Sequence, residues 1–138
     1  MKILVCGDRN WQYDIAINMA LSFIKPKPKQ IIEGGATGAD QMAAEWAKIN
    51  NVEINEYQAE WTKFGRAAGP IRNARMLQEK PDIVISFHNH IEQSKGTKNM
   101  IYQALKANIE VWLIRWNFKD VVLTEIHNKN DLKTLELI

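Results

Sequence analysis

A single cysteine, Cys6, is the whole thiol content of this chain of 138 residues. One cysteine cannot form an internal disulfide, so nothing here calls for an oxidising compartment. Long apolar runs are also missing: no stretch approaches the ~20 residues needed to span a bilayer. The opening run Met1–Cys6 is too brief for a signal-peptide core. A cytoplasmic protein with no membrane partner is the expectation. Charge of one sign is scarce too, since 18 Lys and Arg against 16 Asp and Glu leave a formal charge of only +2. Surfaces that track phosphate backbones are normally basic, so this balance argues against nucleic acid as a partner. His88-Asn89-His90 has no convincing carboxylate or cysteine beside it in the sequence. It reads as a polar loop, and neither a metal nor a cofactor is expected.

The residues that are present describe one ordinary domain. Hydrophobic residues make up 46% and charged residues 25%, and the length suffices for a substantial core. Short aliphatic runs alternate with longer amphipathic ones. Lys2–Cys6, Gln30–Glu33, Val52–Tyr57, Ile83–Phe87 and Val111–Ile114 read as strands, with Val52–Tyr57 the weakest and so placed at an edge. Helices are expected over Trp11–Ile24, Gly38–Asn50, Pro70–Gln78 and Thr97–Ala107. In the first, Ile15, Ala16, Met19, Ala20 and Phe23 fall at helical spacing; in the second, Met42, Ala43, Trp46, Ala47 and Ile49 are expected to face inward. Strands alternating with helices predict a mainly parallel five-stranded sheet in a Rossmann-like α/β/α sandwich. That fold is expected over residues 1–115. The extension 116–138 is harder to read: Val121–Leu123 suits an extra strand, and Leu132–Ile138 a strand or a short helix. It is expected to pack on the same domain or on a partner subunit, and a homo-oligomer is expected.

In open parallel sheets ligands bind at the carboxyl ends of the strands. Three polar loops fall at that edge: Gly7-Asp8-Arg9 after the first strand, Gly34-Gly35-Ala36-Thr37-Gly38-Ala39-Asp40 after the second, and Ser94-Lys95-Gly96-Thr97 after Phe87. Glycines in a strand-to-helix turn let a ligand approach the backbone, and the amides opening a helix make an anion site without a basic side chain. No Gly-Lys-Ser/Thr follows, so this is not a Walker loop, and the GxGxxG pattern is absent as well. Thr97 suits either a helix cap or a phosphate contact, and Lys95 adds a point charge. Arg72 and Arg75 share a helix face, and an arginine near a helix start is poorly placed for the dipole. Arg72 is therefore assigned to the pocket, where it clamps an anion. Asn73 suits a base or ribose edge, or a capped turn. Cys6 reads as a small buried hydrophobe, while Trp11 and Trp61 read as core, each close enough to a loop to stack on a base.

These strings, together with Ala68-Gly69-Pro70-Ile71-Arg72-Asn73, resemble the YspA-type (cpYpsA-related) branch of the SLOG superfamily, related to the LOG phosphoribohydrolases and DprA. The resemblance covers residues 1 to about 115. It implies a Rossmann-like domain for a nucleotide or nucleotide-derived phosphate ligand. It also implies ligand contacts from Gly7, Asp8, Arg9, Gly34, Gly35, Ala36, Thr37, Gly38, Asp40, Gly69, Arg72, Asn73, Ser94, Lys95, Gly96 and Thr97. The hydrolases' PGGxGTxxE loop is similar to Glu92–Met100, but Gln93 and Ser94 stand for two glycines and Met100 for the glutamate. Asn73 likewise replaces the lysine that follows their arginine. A thioether cannot stabilise an oxocarbenium-like state, so that mechanism does not carry over unchanged.

The leading expectation is a sensor or sequestering domain for an ADP-ribose-like or cyclic nucleotide ligand. The alternative is a phosphoribohydrolase or N-glycosidase acting on nucleoside monophosphates or NAD-like substrates. Asp40 and Arg72 would then be catalytic, with Glu33 or Asp8 as substitute carboxylates. Single-stranded DNA binding is the third reading.

Overall fold

The computed structural model describes residues 1–135. In chain order the elements are β1 (Lys2–Gly7), α1 (Asp14–Ser22), β2 (Gln30–Glu33), α2 (Ala39–Ile49), β3 (Glu53–Glu56), α3 (Trp61–Phe64), α4 (Ala68–Leu77), β4 (Ile83–Phe87), α5 (Lys95–Lys106), β5 (Glu110–Trp116), β6 (Val121–Ile126) and α6 (Lys129–Leu135). Short 3-10 turns at Gly65–Ala67 and Ile91–Gln93 precede α4 and α5. The sheet has six strands in the order β3-β2-β1-β4-β5-β6. Neighbours among the first five pair in parallel, and β6 runs antiparallel to β5.

The sheet thus has six strands rather than the expected five. The Val121–Leu123 run is the start of a strand that pairs with β5 from Trp116↔Val121 to Val111↔Ile126. A tight turn makes this possible: Asn117 Oδ1 accepts from the backbone N–H groups of Lys119 and Asp120, at 3.0 and 2.6 Å. Antiparallel neighbours need only such a turn, whereas parallel ones need a crossover. The segment expected as a strand or short helix from Leu132 is helical within Lys129–Leu135, and residues 136–138 lie outside the described residues.

Each face of the sheet carries its own apolar core. On one side Ile3, Val5, Ile31, Ile85 and Phe87 pack against α1 and α2 through Ala16, Ile17, Leu21, Ala43 and Trp46. On the other, Leu4, Cys6, Ile32 and Val84 pack under Met76 of α4, Met100 and Ile101 of α5, and Leu132 of α6. The three-layer sandwich follows from these two cores. No described helix is long and apolar enough to cross a membrane.

Helix α1 corrects the expected burial. It begins at Asp14 rather than Trp11, and Trp11 is buried ahead of it with its indole N–H donating to the Tyr13 carbonyl at 3.0 Å. Its buried face is Ala16, Ile17, Ala20 and Leu21, whereas Ile15, Met19 and Phe23 are exposed. Both stripes are apolar at helical spacing. The one carrying two alanines lets the helix axis come close to α2 and β5, and that stripe wins. Ile49, expected inward on α2, is exposed at the helix's last turn.

Candidate functional site

Strand β1 hands the chain to β2 on one side, and the later strands start on its other side at β4. The gap beyond the carboxyl ends of β1 and β4 is therefore the topological switch point of the sheet, where open α/β folds hold their ligands. A cleft of about 390 Å³ opens there. Cys6, Met76 and Met100 are apolar residues of its lining, Asp8 and His88 reach it from the strand ends, and Ser94–Thr97 closes it from the start of α5. A second cleft of about 330 Å³ is lined by Gly34–Thr37, Gln58, Ala59 and Trp61. The two share Arg9, Ala36 and Arg72, so they are neighbouring lobes of one site.

The loop before α2 is held by the chain's own groups. The Asp8 carbonyl accepts from the N–H groups of Trp11 and Ala39, both at 3.1 Å, which draws the first loop onto the start of α2. Gly38, with φ +73°, makes that approach possible: a Cβ there would stand 2.5 Å from the carbonyl carbon and oxygen of Arg9. Asp40 turns back over the loop, and its Oδ2 accepts from the backbone N–H groups of Gly34 (3.1 Å) and Ala36 (3.3 Å). Arg72 lies across the same turn, donating from Nη1 to the Gly34 carbonyl at 2.8 Å. A side chain at position 34 would collide with this pair, since a Cβ would lie 2.5 Å from Arg72 Nη1 and 3.0 Å from Asp40 Oδ2. The expected open cradle of amides at Gly34–Gly38 is thus corrected. Asp40 already occupies two of those donors, because a buried N–H must find an acceptor and a carboxylate six residues on supplies one.

Arg72 also donates from Nε to Asn73 Oδ1 at 3.1 Å, and Asn73 Nδ2 donates to the Gly96 carbonyl (3.3 Å) and Asn99 Oδ1 (3.1 Å). Asn73 is buried, so its amide works as a strut tying α4 to the start of α5 rather than as a reader of a base. The cap of α5 is Ser94, whose Oγ accepts from the Thr97 N–H at 3.1 Å. Thr97 is not the cap because the helix begins two residues earlier than expected; its buried side chain lines the cleft instead. Ser94→Ala is expected to cost about 1 kcal/mol, the usual worth of an N-cap hydroxyl, read as a lowered urea midpoint at unchanged slope.

Burial sets the protonation of the site. Asp40 is pushed up to about 6, mainly by desolvation, against the pull of the Ala36 and Gly34 amides and the Arg72 guanidinium. Glu33 is fully buried at the end of β2 and is pushed up to about 8, first by desolvation and then by a hydrogen bond with Glu56. Its Oε2 accepts from the Gly35 N–H at 2.8 Å. Its Oε1 is buried without a partner unless it carries a proton to share with Glu56. The Cys6 thiol is pushed up to about 12 by burial and sits 3.2 Å from Ser86 Oγ.

Residues 1–64 match the model of the YspA, cpYpsA-related SLOG family. The Gene 61 protein of Mycobacterium phage D29 is 30% identical over 118 residues, spanning 80% of this chain and 93% of that protein. The chain belongs to the SLOG family. A solved structure of DNA processing protein A (DprA) from Streptococcus pneumoniae overlays with a TM-score of 0.68 at 16% identity, over 86% of this chain. The likeness to DprA is one of fold, and the chain matches 52% of that longer protein.

Within this SLOG domain the expected residues do not all reach one surface. Gly7, Asp8, Arg9, Ala36, Asp40, Arg72, Asn73 and Ser94–Thr97 line the larger lobe, and Gly34, Gly35 and Thr37 line the smaller. Gly38 and Gly69 line neither. Gly38 supports the loop from beneath, and Gly69 is buried next to Trp61, whose ring edge would touch an added Cβ at 3.5 Å. Trp61 itself is 55% exposed on the smaller lobe rather than in the core. His88, expected in a polar loop, is instead buried and lines the larger lobe. The signal was its place, directly after the last residue of a buried parallel strand. Among the described residues no group of three or more His, Cys, Asp or Glu is placed to hold a metal.

Proposed function

We propose that this two-lobed cleft binds a nucleotide or nucleotide-derived phosphate ligand, as a sensor or sequestering domain. The observation that carries this reading is Arg72. Its guanidinium stands where the lobes meet, above the switch point, fixed by the Gly34 carbonyl and Asn73 Oδ1. Nη2 takes no protein partner among the described residues. A guanidinium held in this way is pre-organised for a phosphate. Lys95 and the opening turn of α5 add positive potential at the far wall of the larger lobe.

Mass spectrometry of small molecules released from denatured protein tests the reading, followed by titration with adenosine 5′-monophosphate and ADP-ribose. Arg72→Met is expected to weaken binding about 100-fold, because removing one partner of a charged, hydrogen-bonded pair that the ligand closes off from water typically costs ~2–5 kcal/mol. Absence of any nucleotide in both measurements overturns the proposal.

One observation favours a hydrolase reading. Asp40 lines the cleft with a carboxyl raised to about 6, which suits proton transfer near neutrality. Against it, Asp40 Oδ2 is spent on two loop amides, and the buried Met100 supplies no carboxylate. Release of free base from nucleoside monophosphates or NAD, abolished by Asp40→Asn, would establish the hydrolase. The likeness to a DNA-processing protein adds a third arm, in which salt-dependent binding of a single-stranded oligonucleotide would point to DNA instead.

A further inference from the structure

We propose that Asp8 and His88 form a subsite for a vicinal ribose diol in the larger lobe, so that the protein takes ribonucleotides in preference to 2′-deoxyribonucleotides. This rests on the nucleotide reading above and names the part of the ligand that the two residues meet.

The placement comes from strand register. Cys6 pairs with Ser86 and Gly7 with Phe87 across β1 and β4. The ladder continues one step further, where the Asp8 N–H donates to the Phe87 carbonyl at 2.8 Å. Asp8 and His88 therefore stand level on neighbouring chains, which run ~4.8 Å apart. Side chains two residues apart share a face of the sheet. The pair stands one layer above Cys6 and Ser86, whose Sγ and Oγ are 3.2 Å apart, and both Asp8 and His88 line the lobe.

The two side chains offer opposite hydrogen-bonding characters. Asp8 Oδ1 accepts from the Asn10 N–H at 2.9 Å, and its other oxygen has no partner among the described residues. An ionised carboxylate only accepts. His88 Nδ1 accepts from the His90 N–H at 2.9 Å, so the proton of the neutral ring is on Nε2. Burial keeps the ring neutral by lowering its pKa, partly offset by Asp8. Nε2–H has no protein acceptor among the described residues. One acceptor and one donor, on neighbouring chains in the lining of the lobe, match a 2′,3′-diol: one hydroxyl donates to Asp8 while the other accepts from His88. A phosphate at that end would meet the Asp8 carboxylate and be repelled. The phosphate therefore goes to the Arg72 side, which fixes the direction in which the ligand lies.

The test is calorimetric titration of the full chain with the four ribonucleoside 5′-monophosphates and their 2′-deoxy counterparts. The ribo form of the preferred base is expected to bind about 10- to 100-fold more tightly, the worth of a hydrogen bond to a charged group. Of Asp8→Ala and His88→Phe, each checked for folding by circular dichroism, the one that removes the partner of the 2′-hydroxyl is expected to bring that ratio to within about twofold of unity, and the other to weaken ribo and deoxy forms alike. If Asp8→Ala fails to fold, Asp8→Asn is read instead, and the wild-type ratio stands without any variant. Equal binding of ribo and deoxy forms overturns the subsite and leaves the cleft reading intact. A preference that survives in both variants also overturns it. Binding of no nucleotide from either set overturns the subsite, and the nucleotide reading falls with it when ADP-ribose titration and the released-ligand mass spectrometry are also blank.

Discussion

Replacing Gly38 with alanine is expected to cost about 3 kcal/mol or more, although the residue touches neither lobe of the cleft. Two effects add at this position. With φ +73° and ψ −124° its backbone lies in a region that side-chain-bearing residues rarely adopt, at ~1–3 kcal/mol each. The new methyl would also press on the backbone carbonyls of Asp8 and Arg9. Neither carbonyl can swing away: the first accepts from Trp11 and Ala39, and the second from Thr37 Oγ1 at 2.9 Å. Relief would require the first loop to separate from α2, which would also move Arg9 and Ala36 where the lobes join. The expected result is a melting temperature lowered by roughly 10 °C. Gly96→Ala is the matched control. A Cβ at position 96 meets nothing within 4 Å, and the residue sits in the first turn of α5. There alanine is expected to be neutral or to stabilise by up to ~1 kcal/mol.

The second large effect is on pH dependence, and its sign is opposite to that of an ordinary surface carboxylate. Glu33 moves from 4.5 to about 8 on folding. The folded chain therefore keeps a proton that the unfolded chain releases across that interval. A state that binds more protons loses ground as they become scarce, so the contribution of Glu33 is full below pH 4.5 and declines up to about pH 8. Asp40 acts in the same sense between 3.8 and about 6. For Glu33 the decline is on the order of 4 kcal/mol. Glu33→Gln isolates it. The amide oxygen still accepts from Gly35, the amide N–H group donates to Glu56, and nothing titrates. Urea midpoints at pH 5 and 8.5 should show the variant gaining on the wild type at the higher pH. Parallel pH profiles for the two proteins would contradict the assignment.

Much of this was legible beforehand because continuous β-branched runs and glycine turns carry strong local information. Ile83–Phe87 and Lys2–Cys6 could be little other than buried parallel strands, and placing the loops that follow the strands at the carboxyl edge of the sheet followed from them. The misreadings share a cause, which is that a partner decides them. Ile15, Met19 and Phe23 have the same spacing as the stripe that is buried, and only the close approach of α2 and β5 chooses between the two. Asp40 folding back onto Gly34 and Ala36 depends on the path of the turn, which composition does not encode. His88 acquires meaning only once β4 is set beside β1 in register.

The Cys6–Ser86 pair at the base of the larger lobe has a practical consequence. With its pKa near 12 the sulfur stays protonated in any physiological buffer, and thiols react as thiolates. Peroxide and alkylating reagents should therefore spare the folded protein. Labelling of this lone sulfur then becomes a clock for the parting of the two central strands.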